Sequence, residues 1–267
     1  MKIGIVGLGV VGEAVKHGLE RIGHTVRGYD IKHPNTNLGQ LMDTQLLFMS
    51  LPTPCNPESG LCDTTIVEKV VHEIEAAQYK GLVVVKSTVT PGTTDMLSER
   101  HPTLRFAFCP EFLRERAAYT DFVENHDVCV IGTYNDDDYE LVKEAHGNLP
   151  KAFANVRPIE AEFSKYFSNV YNALRIIFAN SFYDVATKAG ADYSRIKRAM
   201  VLRNNIEDAY LDCNDNFRGF GGVCLPKDTT AFAAYTRAMG HDLAIFDAIV
   251  NENKKFKMTI FNGMRPS

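Results

Sequence analysis

The first twelve residues limit the possible fold more than any other stretch. Lys2-Ile3-Gly4-Ile5-Val6 is a short apolar run of strand character, and Gly7-Leu8-Gly9-Val10-Val11-Gly12 follows it directly. Ala14, Val15, Leu19 and Ile22 then recur at helical spacing, so the order is strand, glycine turn, helix. Such a turn suits a dinucleotide. Gly7 permits the bend, Gly9 lets the backbone approach a pyrophosphate, and Gly12 lets helix and strand pack closely. The helix N-terminus, at Val10 and Val11, faces the phosphates. Thr25-Val26-Arg27-Gly28-Tyr29-Asp30 reads as a second strand ending in an acid, near the expected place for a carboxylate on a ribose 2′-hydroxyl. Asp30 favours NAD over NADP, because it repels a 2′-phosphate. Its plainer reading is a solvated acid at a strand end.

The strand-helix alternation continues. Gln45–Leu51, Gly81–Lys86, Phe106–Cys109, Val128–Gly132 and Phe153–Val156 have strand character, and helical patterns cover about 64–77, 93–100 and 136–147. Lys32 to Asp43 is too short and polar for a full crossover helix. The alternation predicts an α/β fold, a Rossmann-like doubly wound parallel sheet, with ligands outside the carboxyl ends of the strands. Ser50, Leu51, Pro52, Thr53, Thr88, Glu111 and Glu115 fall at or just beyond such ends. From about residue 160 the pattern becomes helical. One long run reaches Lys188 without glycine or proline, a second helix covers 191–200, and 203–218 is a polar loop. A helix through about Met239 and a last one over 242–258 complete the chain. The expected division is a dinucleotide-binding domain over 1–157 and an all-helical domain over 158–267.

Composition narrows the class. The net charge of -4 gives no sign of a nucleic-acid surface, and no apolar run approaches the ~20 residues that span a membrane. The start of the chain shows no basic leader or cleavage site. The six cysteines contain no CxxC and no histidine cluster, so they read as reduced cytoplasmic thiols without a metal.

Chemistry concentrates at Gly219-Phe220-Gly221-Gly222-Val223-Cys224-Leu225-Pro226-Lys227-Asp228. The glycines allow close approach to a ligand. Pro226 suits the first turn of a helix, which puts Cys224 at a helix N-terminus, where a thiolate is favoured. Asp228, four residues on, shares its face, and Lys227 adds a cation. The alternative is a turn whose small cysteine only fills space. Lys165 and Asn169, also four apart, can together stabilise an oxyanion, or Lys165 is simply a solvated lysine. Glu111 is either a general base acting through water or an acid at a helix N-terminus. Thr88 holds a water or a cofactor amide, or caps the next helix.

These blocks resemble the UDP-glucose/GDP-mannose 6-dehydrogenases. The glycine fingerprint, Val85-Lys86-Ser87-Thr88-Val89, Pro110-Glu111-Phe112-Leu113, Lys165-x-x-x-Asn169 and the Phe220 to Asp228 block occur in that family's order. The resemblance implies NAD-dependent, four-electron oxidation of a nucleotide sugar, UDP-glucose foremost, from 6-hydroxyl to carboxylate. It makes Cys224 the nucleophile that carries a thiohemiacetal and then a thioester. Glu111, Thr88 and Asp228 aid hydrolysis, and Lys165 and Asn169 stabilise the oxyanions. It further implies substrate contacts by Glu111, Phe112, Leu113, Lys165, Asn169, Phe220, Gly221 and Cys224. Ser50 to Thr53, Thr88, Glu115 and Lys227 lie around NAD. A homodimer built across the helical domain is expected, since Phe163, Phe167, Ile176, Ile177, Phe178 and Phe182 spread over more than one helix face.

Two departures from the family's pattern stand out. The family carries a further C-terminal domain that completes the nucleotide pocket, whereas this sequence ends just past the connecting helix. The family's Arg-Ile before the glycine loop is Asn205-Ile206 here, with Arg203 or Arg218 as substitutes. Two other functions compete: a two-electron 3-hydroxyacid dehydrogenase, and a non-catalytic NAD-binding subunit.

Overall fold

Strands covered on both faces read as unbroken apolar runs, and such runs form the middle of a seven-stranded sheet. The structure is a computed structural model that describes residues 1–241 and 243–256. Its chain divides into two units, Met1–Pro54 with Cys62–Lys165, and Cys55–Leu61 with the chain from Tyr166 onward.

The first unit runs β1 (Lys2–Val6), α1 (Val10–Arg21), β2 (Thr25–Tyr29), β3 (Leu46–Met49), α2 (Thr65–Ala76), β4 (Leu82–Val85) and α3 (Thr93–Arg100). It continues with β5 (Arg105–Phe108), α4 (Ala118–Val123), β6 (Val128–Gly132), α5 (Asp136–His146) and β7 (Ala152–Val156). The sheet order is β2-β1-β3-β4-β5-β6-β7, so the winding reverses between β1 and β3. Neighbours pair parallel except β5 and β6, which meet antiparallel at Phe108 and Gly132. The expected doubly wound parallel sheet therefore carries one antiparallel junction. The junction is a single pair of residues, and β6 and β7 beyond it run parallel to each other. Between β2 and β3 a 3-10 turn, Leu38–Leu41, replaces a crossover helix, in line with the polar sequence there.

Alternation sorts the strand side chains into two layers. Leu46, Phe48, Leu82 and Val84 pack with Val15 and Leu19 of α1, Phe122 of α4 and Val142 of α5. Leu47, Met49, Val83 and Val85 pack with Val67, Val71 and Ile74 of α2 and Leu97 of α3. Each fully buried aliphatic side chain contributes roughly 1.5–3 kcal/mol, so these two layers carry the unit.

A long helix, α6 (Pro158–Lys188), begins at the end of this unit. In its first turns, Glu162 reaches the N-terminus of α3. Its carboxylate accepts from Gly92 N at 2.5 Å, Thr94 N at 2.7 Å and Thr94 Oγ1 at 2.6 Å. Burial pushes the Glu162 pKa above the ordinary carboxylate value, and these donors hold it back.

The second unit contains the rest of α6, α7 (Tyr193–Met200), α8 (Cys224–Ala238) and α9 (Ala244–Asn253). Residues 203–218 form turns, as their polar sequence suggests. The expected last helix over 242–258 is α9; Asp242 and residues 257–258 lie outside the described residues. Val170, Ala173 and Ile177 of α6, Phe220 and Ile249 of α9 form one core. Segment 55–61 joins this unit: the Cys55 thiol donates to the Lys227 carbonyl at 3.3 Å. Among the described residues no helix is long and apolar enough to cross a membrane.

Phe122 is fully buried against α1, so Phe122→Ala leaves a cavity. Urea unfolding should show a loss of about 3–5 kcal/mol.

Candidate active site

The reversal between β1 and β3 sets where the glycine turn opens. Gly7 has φ +90 and donates to the Tyr29 carbonyl at 2.8 Å, and a side chain there would meet the Ser50 carbonyl. A Cβ on Gly12 would lie 1.9 Å from the Gly7 carbonyl oxygen, so the turn and α1 are pressed together. A Cβ on Gly9 would meet nothing within 4 Å: that face of the loop is open. Asp30 stands just past β2. Its carboxylate accepts from Leu8 N at 2.8 Å and Lys32 N at 2.9 Å. Burial works against its charge, but these two N–H groups hold its pKa below the usual value. Each carboxylate oxygen keeps a lone pair for a ribose hydroxyl.

Beyond β3, Ser50 N donates to the Val6 carbonyl, while Ser50 Oγ is buried without a hydrogen-bond partner. Leu51 N donates to Ser87 Oγ at 2.7 Å, and Thr53 Oγ1 to the Thr88 carbonyl at 2.6 Å. Pro52 lies between them in the loop. The residues present fit a dinucleotide: an open glycine face, an orphaned serine hydroxyl at the winding reversal, and an acid at the ribose position. Thr88 is not a cap, since α3 begins at Thr93 with Gly92 as its N-cap.

Segment 110–114 beyond β5 is non-helical, so Glu111 does not serve as an acid at a helix N-terminus. It is 6% exposed, and its Oε2 lies 3.3 Å from Lys86 Nζ. Lys165 Nζ donates to the Glu111 carbonyl at 2.6 Å and stands over the Phe112 ring. Lys165 is therefore not a solvated lysine. Leu113 packs its side chain into the core of this unit, while Glu115, which opens a 3-10 turn, is exposed. Arg114 pins the segment by donating to Asp121 from N, Nε and Nη2 at 2.7–2.9 Å. That hydrogen-bonding brings the Asp121 pKa down to about 2.

Lys86 is the residue that sequence reasoning left unassigned. It follows β4 directly, and its Nζ also lies 3.1 Å from the Cys109 carbonyl and 3.4 Å from Cys109 Sγ. Burial opposes its charge, but Cys109 and Glu111 outweigh this and raise its pKa above the ordinary lysine value. Cys109 Sγ is 3.6 Å from Cys129 Sγ, and both share a buried cluster with His146. The hydrogen bond with Cys129 pulls the Cys109 thiol down and pushes Cys129 up. The spacing of the cysteines pairs them with no histidine; His146, the last residue of α5, joins them in the fold. Lys86 adds a positive charge beside that cluster.

In the second unit, α8 begins at Cys224, which is exposed. Asp228, one turn along, is fully buried. Its Oδ2 accepts from Asn169 Nδ2 at 2.5 Å, and its Oδ1 lies 2.6 Å from Lys227 Nζ. Asn169 shares α6 with Lys165, one turn apart. The preceding loop turns on Gly219 and Gly222, at φ 65 and 81. Gly221 is half-buried there. Phe220 departs from its expected substrate contact. Its ring is buried in the core, and its N–H and carbonyl both pair with the Asn253 amide at 2.8 Å. It anchors the loop by packing with Val170, Ala173 and Ile177 of α6 and Ile249 of α9. Asn180 holds Gly219 N at 3.0 Å and Arg218 Nε at 2.8 Å. Arg218 is further committed to Asp184, and Arg203 is exposed.

The fold and the glycine turn define a dinucleotide-binding protein of the dehydrogenase type. Residues 32–149 match the NAD binding domain model of the UDP-glucose/GDP-mannose dehydrogenase family, and residues 159–255 match that family's central domain model. The chain is 28% identical to the UDP-glucose 6-dehydrogenase AglM of Haloferax volcanii over 95% of its own length and 69% of that protein. A UDP-glucose dehydrogenase structure from the archaeon Pyrobaculum islandicum aligns with TM-score 0.86 and 30% identity, over 95% of this chain and 68% of that one. A 3-hydroxyisobutyrate dehydrogenase from Mycobacterium tuberculosis aligns with TM-score 0.73 at 14% identity, over 95% and 92%, a likeness of fold alone. The chain spans about half the length of several other curated relatives. The chain belongs to the UDP-glucose/GDP-mannose dehydrogenase family, and its cofactor is NAD.

Three variants check this geometry. Gly9→Val should leave thermal stability nearly unchanged yet weaken NAD binding at least tenfold by calorimetric titration. Gly12→Val should unfold more readily by about 1–3 kcal/mol or more, through overpacking. Asp121→Asn should cost about 1–2 kcal/mol at pH 7, because one pKa unit corresponds to 1.36 kcal/mol and Arg114 is half exposed. Its folded pKa is depressed, so that stability is present above the ordinary value of 3.8 and lost as pH falls toward about 2. The two proteins' urea midpoints should converge over that window.

Proposed function

We propose that this chain is an NAD-dependent nucleotide-sugar 6-dehydrogenase, with UDP-glucose as the first substrate to test. The observation that carries the reading is Asp228, fully buried between Asn169 and Lys227, one turn along the helix that Cys224 opens. A buried, doubly held carboxylate in the first turn below an exposed cysteine is a poor use of a packing turn. The helix N-terminus favours the Cys224 thiolate.

The glycine turn, Asp30 and the strand ends at Ser50–Thr53 and Thr88 would hold NAD, which when bound would supply the hydride acceptor for C6 at each of two oxidations. The first oxidation leaves an aldehyde. The Cys224 thiolate adds to its carbon, and Lys165 and Asn169 stabilise the oxygen as it gains charge. The second oxidation leaves a thioester. Water adds to the thioester carbonyl as Glu111 takes its proton, the C–S bond breaks, and the thiolate leaves. Thr88 and Asp228 assist hydrolysis, while Phe112, Leu113 and Gly221 contact the sugar. Lys227 and Glu115 complete the roles, both beside NAD. The working division is 1–157 for NAD and 158–267 for the helical domain.

The reading includes a homodimer. Phe167, Tyr171, Leu174, Phe178, Phe182 and Val185 recur every three or four residues on α6 and are all exposed, Phe178 by 57%. They form one apolar stripe about 27 Å long at 1.5 Å per residue. A second copy of the same helix can cover it. The stripe is narrower than the sequence suggested, since Ile177 turns into the core.

Incubation with NAD and UDP-glucose should give two NADH per sugar. Cys224→Ala should stop the reaction at one NADH and an aldehyde. Two NADH per sugar from Cys224→Ala would reject the thioester, and a chain that binds NAD tightly but turns over no sugar nucleotide would favour the non-catalytic reading. Phe178→Glu should shift the sedimentation coefficient from dimer to monomer; a wild type that sediments as a monomer at micromolar concentration would remove the dimer.

A further inference from the structure

We propose that Lys86 is a positioning residue that aims the Glu111 carboxylate for the water-consuming step. The inference rests on Glu111 being the base in the reading above. The Lys86 side chain is 0% exposed, which is rare for lysine unless a partner is built around it. Its Nζ lies 3.3 Å from Glu111 Oε2 and 3.1 Å from the Cys109 carbonyl, so one ammonium ties the end of β4 to the segment beyond β5. Phe48 lies beneath it, 5.4 Å from the ring centroid.

Two lysines therefore divide Glu111 between them. Lys165 holds its carbonyl at 2.6 Å, and Lys86 holds its carboxylate. Glu111 Oε1 accepts from Phe112 N at 3.2 Å. Phe112 N binds one oxygen and the Lys86 charge stands against the other, which accepts no hydrogen bond among the described residues and so keeps its lone pairs for a water. The other groups near the pair are Cys109, Cys129, His126 and His146, and Lys86 is the cation among them. A lysine serving packing alone would not need to stand against the carboxylate proposed to take the proton. The step it serves balances as thioester plus water giving carboxylic acid plus thiol. Water oxygen bonds to the carbonyl carbon, Glu111 receives one proton, the C–S bond breaks, and that proton returns to the Cys224 thiolate.

The test uses the full chain with NAD and UDP-glucose. Acid-quenched samples are weighed intact for an acyl adduct on Cys224. Glu111→Gln should accumulate the adduct, and Lys86→Met should do the same, with first-turnover NADH formation close to wild type. Steady-state turnover should fall roughly 10²-fold, the scale of a lost general base. Adduct in Glu111→Gln but none in Lys86→Met overturns the inference and keeps the base. No adduct in Glu111→Gln overturns both. The double variant removes both buried charges and serves if Lys86→Met does not fold. It should hydrolyse no more slowly than Glu111→Gln, and a further tenfold loss overturns the inference. A readout without substrate or NAD is the infrared carboxylate band of Glu111, isolated by subtracting the Glu111→Gln spectrum. That band should shift or vanish in Lys86→Met; an unmoved band overturns the proposal.

Discussion

A charge taken out of water must be met by an opposite charge or by donors, and this protein meets three of its buried ones at places where an element begins or ends. Lys86, just past β4, meets Glu111, just past β5. Glu162 meets the open N–H groups of α3. Asp228, in the first turn of α8, meets Asn169 and Lys227. Truncating one partner of such a pair strands the other, at a cost of about 3–5 kcal/mol, so these pairs fix local geometry more firmly than apolar contacts of the same size. The groups expected to do chemistry are thus held by the same interactions that finish the strands and helices.

The sheet supplies the other half of that arrangement. Because β3 and β4 are covered on both faces, their ends cannot shift without exposing a layer of apolar side chains. Leu51, Thr53, Ser87 and Thr88 sit just beyond those ends and are cross-linked by short hydrogen bonds. The glycine turn beside them is set by contact: Gly12 has no room for a side chain, while Gly9 faces open space. Rigidity below and openness above are what a backbone needs to receive a pyrophosphate.

How much of this was legible depends on whether the cause was local. The strands and the glycine turn could be read because covering both faces forces apolar runs, and α3 could be read to the residue from Gly92 and the charged stretch after it. Helix α4 escaped notice, being six residues and so fewer than two turns. The direction of β6 escaped too, since pairing depends on how the chain returns. Lys86 looked like any lysine at the end of a strand; only its neighbour Glu111, 25 positions on, shows that it turns inward. The Asn169–Asp228 contact joins positions 59 apart. Phe220 was misread because proximity in sequence to glycines and Cys224 suggested contact with a ligand, whereas its burial is decided by α6 and α9. Cys224 was placed correctly because Pro226 and the glycines mark a helix start within a few residues.

Glu162 has one more implication, for dissection of the chain. It lies on α6, yet every donor it binds belongs to the loop and first turn of α3. A dinucleotide-binding fragment ended at the last strand would keep α3 but lose the carboxylate that closes it, leaving the N–H groups of Gly92 and Thr94 unmet. Segment 55–61, which packs with the second unit, would travel with that same fragment as an unpartnered loop. Fragment borders drawn from the order of secondary structure would therefore cut through cohesion at both places. A border drawn after Lys165 keeps Glu162 and its donors on one polypeptide.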